Sequence, residues 1–470
     1  MTPQSTDATS SDPGRLTRDQ VAPLFGLEDK PPLPTALLAA LQHLLAVFGG
    51  IITAPLIIAG GMGLDSERTN TVITSALFVS GVATILQISR VGPLGSGLLA
   101  IQGTSFTFIG AVLFAYHGLP ESLSADARLA ILFGSAAVAS VVMMPLAFSL
   151  RRLQRVFSPV VTGTTVVLLG LSLVFATLEN LQRTWVAANE AEAGWQVLLV
   201  AGCVFFSTAI MARLRNPWLR MCSILCGLIV GLLVSLVLGA VDFSLLSGLD
   251  PVYIPVPLRH GLAFEWQVFL ILMPIFLVTA TESVGDLTAT QALSQLPTRG
   301  TDYWSRLRGG VVGDAFNSLL ASLFSTFPNT TFSQNNGVIR LTGIASRHVG
   351  YLVAGMLILL GCLPVVAGLF QILPPAVIYG ATLLMFGLVV DAGINILRDG
   401  CVGRRDWFIV FTALAGGAVL SQTADQLTAL PYQLRMILQF PVSTGALIAM
   451  ILELIVPRAN AALENTALPD

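Results

Sequence analysis

The feature that most constrains this chain is a recurrence. Apolar stretches of about 20 residues, each long enough to cross a bilayer as a helix, return fourteen times along its 470 residues. They fall near 35–60, 71–89, 97–115, 129–149, 158–178, 195–213, 218–241, 266–285, 309–326, 330–343, 349–370, 373–391, 406–421 and 438–456. At about 20 residues apiece they use roughly 280 residues, leaving short loops, two tails and no room for a sizeable soluble domain. Charge agrees: 11% of residues are Asp, Glu, Lys or Arg, against about 25% in soluble domains. So few charges could not cover the surface of a soluble protein of this size. The expected fold class is an all-α polytopic membrane protein with 14 transmembrane segments. Its 24 basic and 26 acidic residues form no basic stripe, which argues against nucleic-acid binding.

Residues 1–31 are polar and contain no apolar core of a signal peptide, so the first span is expected to act as its own insertion signal. The tails, 1–31 and 458–470, are expected to be disordered. Lys and Arg accumulate in cytoplasmic loops. With a cytoplasmic N-terminus, alternation through fourteen spans places nineteen of the 24 basic residues on the cytoplasmic side. Arg68, Arg128, Arg183, Arg259 and Arg435 fall outside. Both termini are therefore expected in the cytoplasm. The five cysteines lie in spans or at their cytoplasmic ends without metal-ligand company, so neither a disulfide framework nor a metal site is expected.

The chain also echoes itself. Pro159 and Pro375 are 216 residues apart, while Gly163 and Gly380, and Gly170 and Gly387, are 217 apart. Thr104-Ser-Phe-Thr107 returns as Thr330-Thr-Phe-Ser333 at an offset of 226. Offsets near half the length imply two homologous halves of seven spans. Seven is odd, so the second half must be inverted relative to the first. Inverted repeats with a broken element at matching positions mark secondary transporters.

Charge inside a span is costly, so its exceptions are informative. Glu282 and Asp286, four residues apart on the eighth span, share a helix face. Asp314 lies a turn inside the ninth. No Lys or Arg occupies the central part of any span, so these carboxylates lack an obvious ion-pair partner. Such groups suit carrying a proton or accepting hydrogen bonds from a substrate; the alternative is local capping of a helix. Seven of the eight residues from Asn329 to Asn336 carry polar side chains, which lipid cannot satisfy. Alternation in Thr331-Phe-Ser-Gln suggests a short extended piece leading into a half-helix near Gly337. The carboxamides of Gln334, Asn335 and Asn336 offer paired donors and acceptors, the complement of a planar heterocycle; a polar gasket between helices is the alternative. The third segment, with Thr104, Ser105 and Phe106, mirrors it. His43 is the only histidine at membrane depth, either a satisfied core residue or a neighbour of the Glu282 cluster.

These residues resemble a known family. Gln334-Asn-Asn-Gly-Val-Ile-Arg-Leu-Thr-Gly343 fits the signature of the nucleobase–ascorbate transporter (xanthine/uracil permease) family, [Gln/Glu/Pro]-Asn-x-Gly-x4-Thr-[Arg/Lys/Gly]. Ala280-Thr-Glu-Ser-Val-Gly-Asp286 is similar to that family's eighth span, Leu41-Gln-His-Leu44 to its first, and Gln102-Gly-Thr-Ser-Phe-Thr-Phe108 to its third. The likeness runs over about 30–457.

The resemblance implies two inverted seven-span repeats, split into core and gate domains, with short strands in segments 3 and 10. The implied divisions are an N-terminal tail (1–33), core (34–150 and 264–371), gate (151–263 and 372–457) and a C-terminal tail (458–470). It implies that Glu282 binds the base, with Gln334 as the second clamp and Thr104, Ser105, Phe106 and Asn335 completing the substrate site. Proton coupling would involve Glu282, Asp314 and His43, supported by Asp286, Asn336 and Gly337. It implies a proton symporter without cofactors, dimeric, in a bacterial-type inner membrane. Gln334, where pyrimidine carriers tend to have Glu, points to the purine branch and to uric acid or xanthine. Uracil or another nucleobase is the alternative cargo. Arg340 departs from the family, where a neutral residue is more usual. An anion exchanger or channel of related fold would want Lys or Arg at depth, and a membrane hydrolase using Asp286 and Asp314 would lack an oxyanion site.

Overall fold

Helix starts in this chain are written in proline and in short polar side chains. The computed structural model describes residues 24–149, 158–189, 193–246, 249–401, 403–427 and 438–457, with Leu430 and Arg435 between the last two stretches. The first half runs α1 (Leu33–Gly61), α2 (Ser66–Ser89), β1 (Gln102–Thr104), α3 (Phe108–His117), α4 (Ala125–Phe148), α5 (Pro159–Asn189), α6 (Gly194–Arg213), α7 (Pro217–Met221) and α8 (Ser223–Val237). The second runs α9 (Trp266–Leu293), α10 (Thr301–Leu323), β2 (Asn329–Thr331), α11 (Gln334–Thr342), α12 (Arg347–Gly361), α13 (Pro364–Gln371), α14 (Pro375–Gly400), α15 (Arg404–Thr423) and α16 (Pro441–Ile455). Proline opens α5, α14 and α16, where a missing N–H costs nothing. Asp65, Ser124 and Ser346 cap α2, α4 and α12 through their side-chain oxygens.

Apart from the short α7 in the first half and α13 in the second, the order of elements is the same in both halves, and so is their packing. Helix α2 packs on α12 as α10 packs on α4, and α6 on α8 as α15 on α16. Helix α3 meets α9 as α11 meets α1. Matched elements run antiparallel where they touch. Strand β1 pairs antiparallel with β2, Gln102 opposite Thr331 and Thr104 opposite Asn329. On α5 and α14, Gly163 faces Leu397 and Gly170 faces Val390, so these helices also oppose each other. The second half is thus inverted relative to the first. A Cβ on Gly170 would lie 2.6 Å from the Val390 side chain and 2.7 Å from its backbone nitrogen. Small residues let membrane helices approach this closely.

Two packing groups result. Helices α1–α4 and α9–α12 cluster with the strands, and α5, α6, α8 and α14–α16 cluster with one another. Large apolar side chains such as Phe175, Phe206, Val237 and Phe411 are exposed, as expected of surfaces bathed in lipid. Seven described helices (α1, α2, α4, α5, α6, α9 and α14) are long and apolar enough to cross a bilayer. The α12–α13 pair makes an eighth, bent by 75°. The other predicted segments are shorter, broken or more polar: α3, α8 and α16 have 10–17 residues, α11 has 9, and α10 and α15, with 23 and 20, are less apolar.

Four expectations need correction. The tail was expected to be disordered through residue 31, yet residues 24–29 are docked. The Phe25 amide donates to the Gly343 carbonyl at 3.2 Å, and the Ala345 amide donates to that of Phe25 at 2.9 Å. Glu28 pairs with Arg347 at 2.6 Å. The predicted span 349–370 is broken between Gly361 and Pro364, because proline cannot supply the amide that would continue the helix. In the tenth segment the strand ends at Thr331 and the half-helix begins at Gln334, three residues before Gly337. Several helices overrun the apolar stretches that announced them, α5 by a further eleven residues to Asn189. Residues 1–23 and 458–470, and Arg151, Arg152, Arg155 and Arg458 with their predicted placements, lie outside the described residues.

Candidate functional site

A two-stranded sheet of three-residue strands is marginal on its own. Here all six residues are buried and a polar network holds them. The Gln102 amide donates to Thr84 Oγ1 at 3.0 Å and its side-chain Nε2 to Thr331 Oγ1 at 2.9 Å. Ser318 Oγ donates to the Asn329 carbonyl at 3.0 Å and accepts from the Asn329 amide at 3.1 Å. The crossing strands are thereby tied to α2 and α10. Each strand runs at once into a half-helix, α3 or α11, so both half-helices begin at the crossing. Helix N-termini carry partial positive charge and free amides, and the Ser333 and Gln334 amides have no acceptor among the described residues.

Helix α9 passes this crossing and is pinned to it by two adjacent residues. Thr107 Oγ1 lies 3.0 Å and 2.9 Å from the two carboxylate oxygens of Glu282. Ser283 donates to Asp314 Oδ2 and lies 3.2 Å from Thr330 Oγ1. Asp314, buried on α10, also accepts from Gln87 Nε2 at 3.3 Å and from Thr331 Oγ1 at 3.3 Å. One helix turn further along α9, Asn336 stitches α11 to it. Its Nδ2 donates to the Asp286 carbonyl at 3.2 Å, and its Oδ1 accepts from Thr290 Oγ1 at 2.6 Å.

The face of α9 that carries Glu282, Gly285 and Asp286 is open. Gly285 is exposed and a Cβ placed on it would meet nothing within 4 Å. Glu282, Asp286 and, on the facing segments, Gln334, Asn336 and Phe106 are half-buried, while Ser333 and Gly337 are exposed. Phe106 stands 6.2 Å from Phe332 and 5.7 Å from Phe386 of α14, ring centroid to centroid. A half-buried carboxylate, two convergent helix starts, carboxamides and an aromatic wall make a site able to grip a flat polar ring.

The structure brings together Glu282, Asp286, Asn336, Gln334 and Phe106 around this opening, with Gly337 on the next turn of α11. It sets other predicted residues back from it. Thr104 is fully buried, its hydroxyl without a partner among the described residues. Ser105 is buried, and its hydroxyl accepts from the Thr107 amide at 3.3 Å. His43 is fully buried against Asn335, and no hydrogen bond joins it to Glu282. Asn335 donates to the Leu99 carbonyl. Asp314 sits behind the strands rather than at the opening. The residues that brace or wall this opening without having been foreseen are Thr107, Ser283, Phe332 and Phe386. The repeated Thr-Ser-Phe-Thr/Thr-Thr-Phe-Ser echo carried a signal for two of them, since it contains Thr107 and equates Phe332 with Phe106.

Residues 34–425 match the model of a permease family. The chain is 39% identical over 437 residues to the xanthine permease XanP of Escherichia coli, covering 92% of this chain and 94% of that protein. The chain belongs to the xanthine/uracil permease family. It is also 37% identical over 440 residues to the E. coli xanthine permease XanQ, again over 92% of this chain and 94% of that one. Among solved structures, the murine anion transporter Slc26a9 matches with a TM-score of 0.60 at 12% identity, over 91% of this chain and 69% of that one. At that identity the likeness speaks for the fold alone. A multi-pass membrane permease built on this fold is what the sequence, the helices and the comparisons agree on.

Proposed function

We propose that this permease is a proton-coupled importer of an oxidised purine base, xanthine or uric acid, in a bacterial-type inner membrane with both termini cytoplasmic. The observation that carries the reading is the Glu282 carboxylate at the open face of α9, with Gln334 at the start of the half-helix α11. A carboxylate accepts the ring N–H groups of such a base, and the Gln334 carboxamide both donates to and accepts from its carbonyls and nitrogens. The names of XanP and XanQ, and the similarity to them, support a xanthine-type substrate.

Proton uptake at Glu282 fits the absence of any ion pair on it among the described residues. Asp314 would relay the state of the site through Ser283, the neighbour of Glu282 on α9, to the strands and α10. His43 would act on the second half through Asn335. The two packing groups support a division into a core, 34–150 with 264–371, and a gate, 151–263 with 372–457. Movement of one against the other, with Phe386 meeting Phe106 across the boundary, would open the site to either side. A homodimer would anchor the gate.

The test is uptake of radiolabelled xanthine and uric acid in cells lacking their own purine permeases, with and without a protonophore and excess unlabelled uracil. Protonophore-sensitive purine uptake indifferent to uracil is expected. Uracil transport without purine uptake would move this chain to the pyrimidine branch.

A further inference from the structure

Glu282 is held at the open face by a single side chain among the described residues, the Thr107 hydroxyl. That hydroxyl lies almost equally far from both carboxylate oxygens, 3.0 Å and 2.9 Å. A hydroxyl has one proton to donate and two lone pairs to accept with. It therefore serves a charged carboxylate as donor and a protonated one as acceptor. A Lys or Arg can only donate, so it would favour the charged form and could not accept from the protonated one. The titratable groups nearest Glu282 are acids: Asp286 on its own helix and, through Ser283, Asp314 on α10.

The position of Thr107 is fixed independently of what fills the site. Its side chain is 1% exposed. Its amide donates to Ser105 Oγ at 3.3 Å, and the Ser105 amide donates to the Pro328 carbonyl of the other half at 3.0 Å. Its β-branched side chain has little rotamer freedom. The matching residue of the second repeat, Ser333, is exposed and caps α11 without a side-chain hydrogen bond, so the arrangement belongs to one half only.

We propose that Thr107 is a positioning residue for Glu282, holding its side chain in one place through both halves of a protonation cycle. The proposal deepens the proton-coupled reading of the site and rests on it. Because Thr107 never leaves its place, Glu282 gains or loses its proton without swinging away from the substrate. The carboxylate has about four lone-pair positions, so one held by Thr107 leaves enough for a base with two N–H donors.

Two measurements test this. In purified protein, the infrared carboxyl band that Glu282→Gln removes identifies protonated Glu282. Thr107→Val, which keeps the shape and deletes the hydroxyl, is expected to shift that band and its titration midpoint, while Thr107→Ser leaves both as in the parent. In cells, Thr107→Val is expected to lower purine uptake roughly ten- to hundredfold and to change its pH profile at equal membrane abundance, with Thr107→Ser rescuing both. An unmoved band in Thr107→Val overturns the proposal whatever the substrate, and so does a parental pH profile in that variant. Should the parent protein import no purine while the band still moves, the functional reading fails and the positioning role stands. A Thr107→Val protein that does not accumulate is replaced by Thr107→Ala in both measurements.

Discussion

The two broken segments of this permease are built alike and used differently. Each has a three-residue strand followed by a half-helix, and each half-helix start is met by a helix of the other repeat. Helix α9 brings Glu282 to Thr107 beside α3, and α1 brings His43 to Asn335 on α11. The first pair is half-open to the site and hydrogen-bonded. The second is sealed, His43 and Asn335 being 0% and 1% exposed. The two meetings of a half-helix with a helix of the other repeat thus differ: one pair faces the opening, and the other is sealed away from it. What differs is the chemistry of each pair, a carboxylate with a hydroxyl against an imidazole with a carboxamide, and the access each has to the opening.

The sharpest way to break this comparison is at its open side. Glu282→Gln is expected to reduce uptake at least about a hundredfold, as loss of a charge-assisted contact and of the proton carrier together, with membrane abundance intact. Uptake near the parent value would remove Glu282 from the mechanism. At the sealed side, Asn335→Ala is expected to act on stability first. It leaves the Leu99 carbonyl and His43 without their neighbour at a cost of about 1–3 kcal/mol, read as an earlier thermal transition in detergent. A variant as stable as the parent would mean that the sealed pair holds nothing. The strands offer a smaller contrast. Thr331→Val deletes a donor to Asp314 and the acceptor for Gln102, and about 1 kcal/mol of stability should go with it. Thr104→Val, across the crossing, replaces a buried hydroxyl without a partner by a methyl group. It should leave stability within about 0.5 kcal/mol and uptake unchanged, and a marked loss would show that a substrate or water reaches Thr104.

Much of this was legible in the chain. Apolar stretches located the helices because lipid permits few alternatives, and the 216–226 offsets exposed the repeat because inverted halves reuse the same Pro, Gly and Thr-x-Phe positions. Glu282 and the Gln334–Gly337 carboxamide run were visible because polarity inside a span is rare. What escaped detection lacked local contrast. Thr107 is one hydroxyl among many in apolar helices, and its meaning comes from a partner 175 residues away. The docked segment at residues 24–29 looked like a continuation of a polar tail. Its partners, Gly343 to Arg347, lie in the distant loop between α11 and α12. The break between α12 and α13 had its signal in Pro364, outweighed by the apolar residues on both sides.

That docked segment sets an order of events in the making of the protein. Ser346 closes onto the Asp29 carbonyl across 317 residues of chain. At about 5–20 residues per second of synthesis, the segment waits roughly 16–60 s for the loop it will clasp. The strand crossing waits almost as long, since β1 cannot pair until β2 has been made. No substrate site exists on the ribosome-bound first half, and the clasp of residues 24–29 can close only once Ser346 and Arg347 have been made, still ahead of α14, α15 and α16. A spectroscopic probe at Phe25 would therefore report the joining of the two halves around the strand crossing, a step that precedes the last three helices.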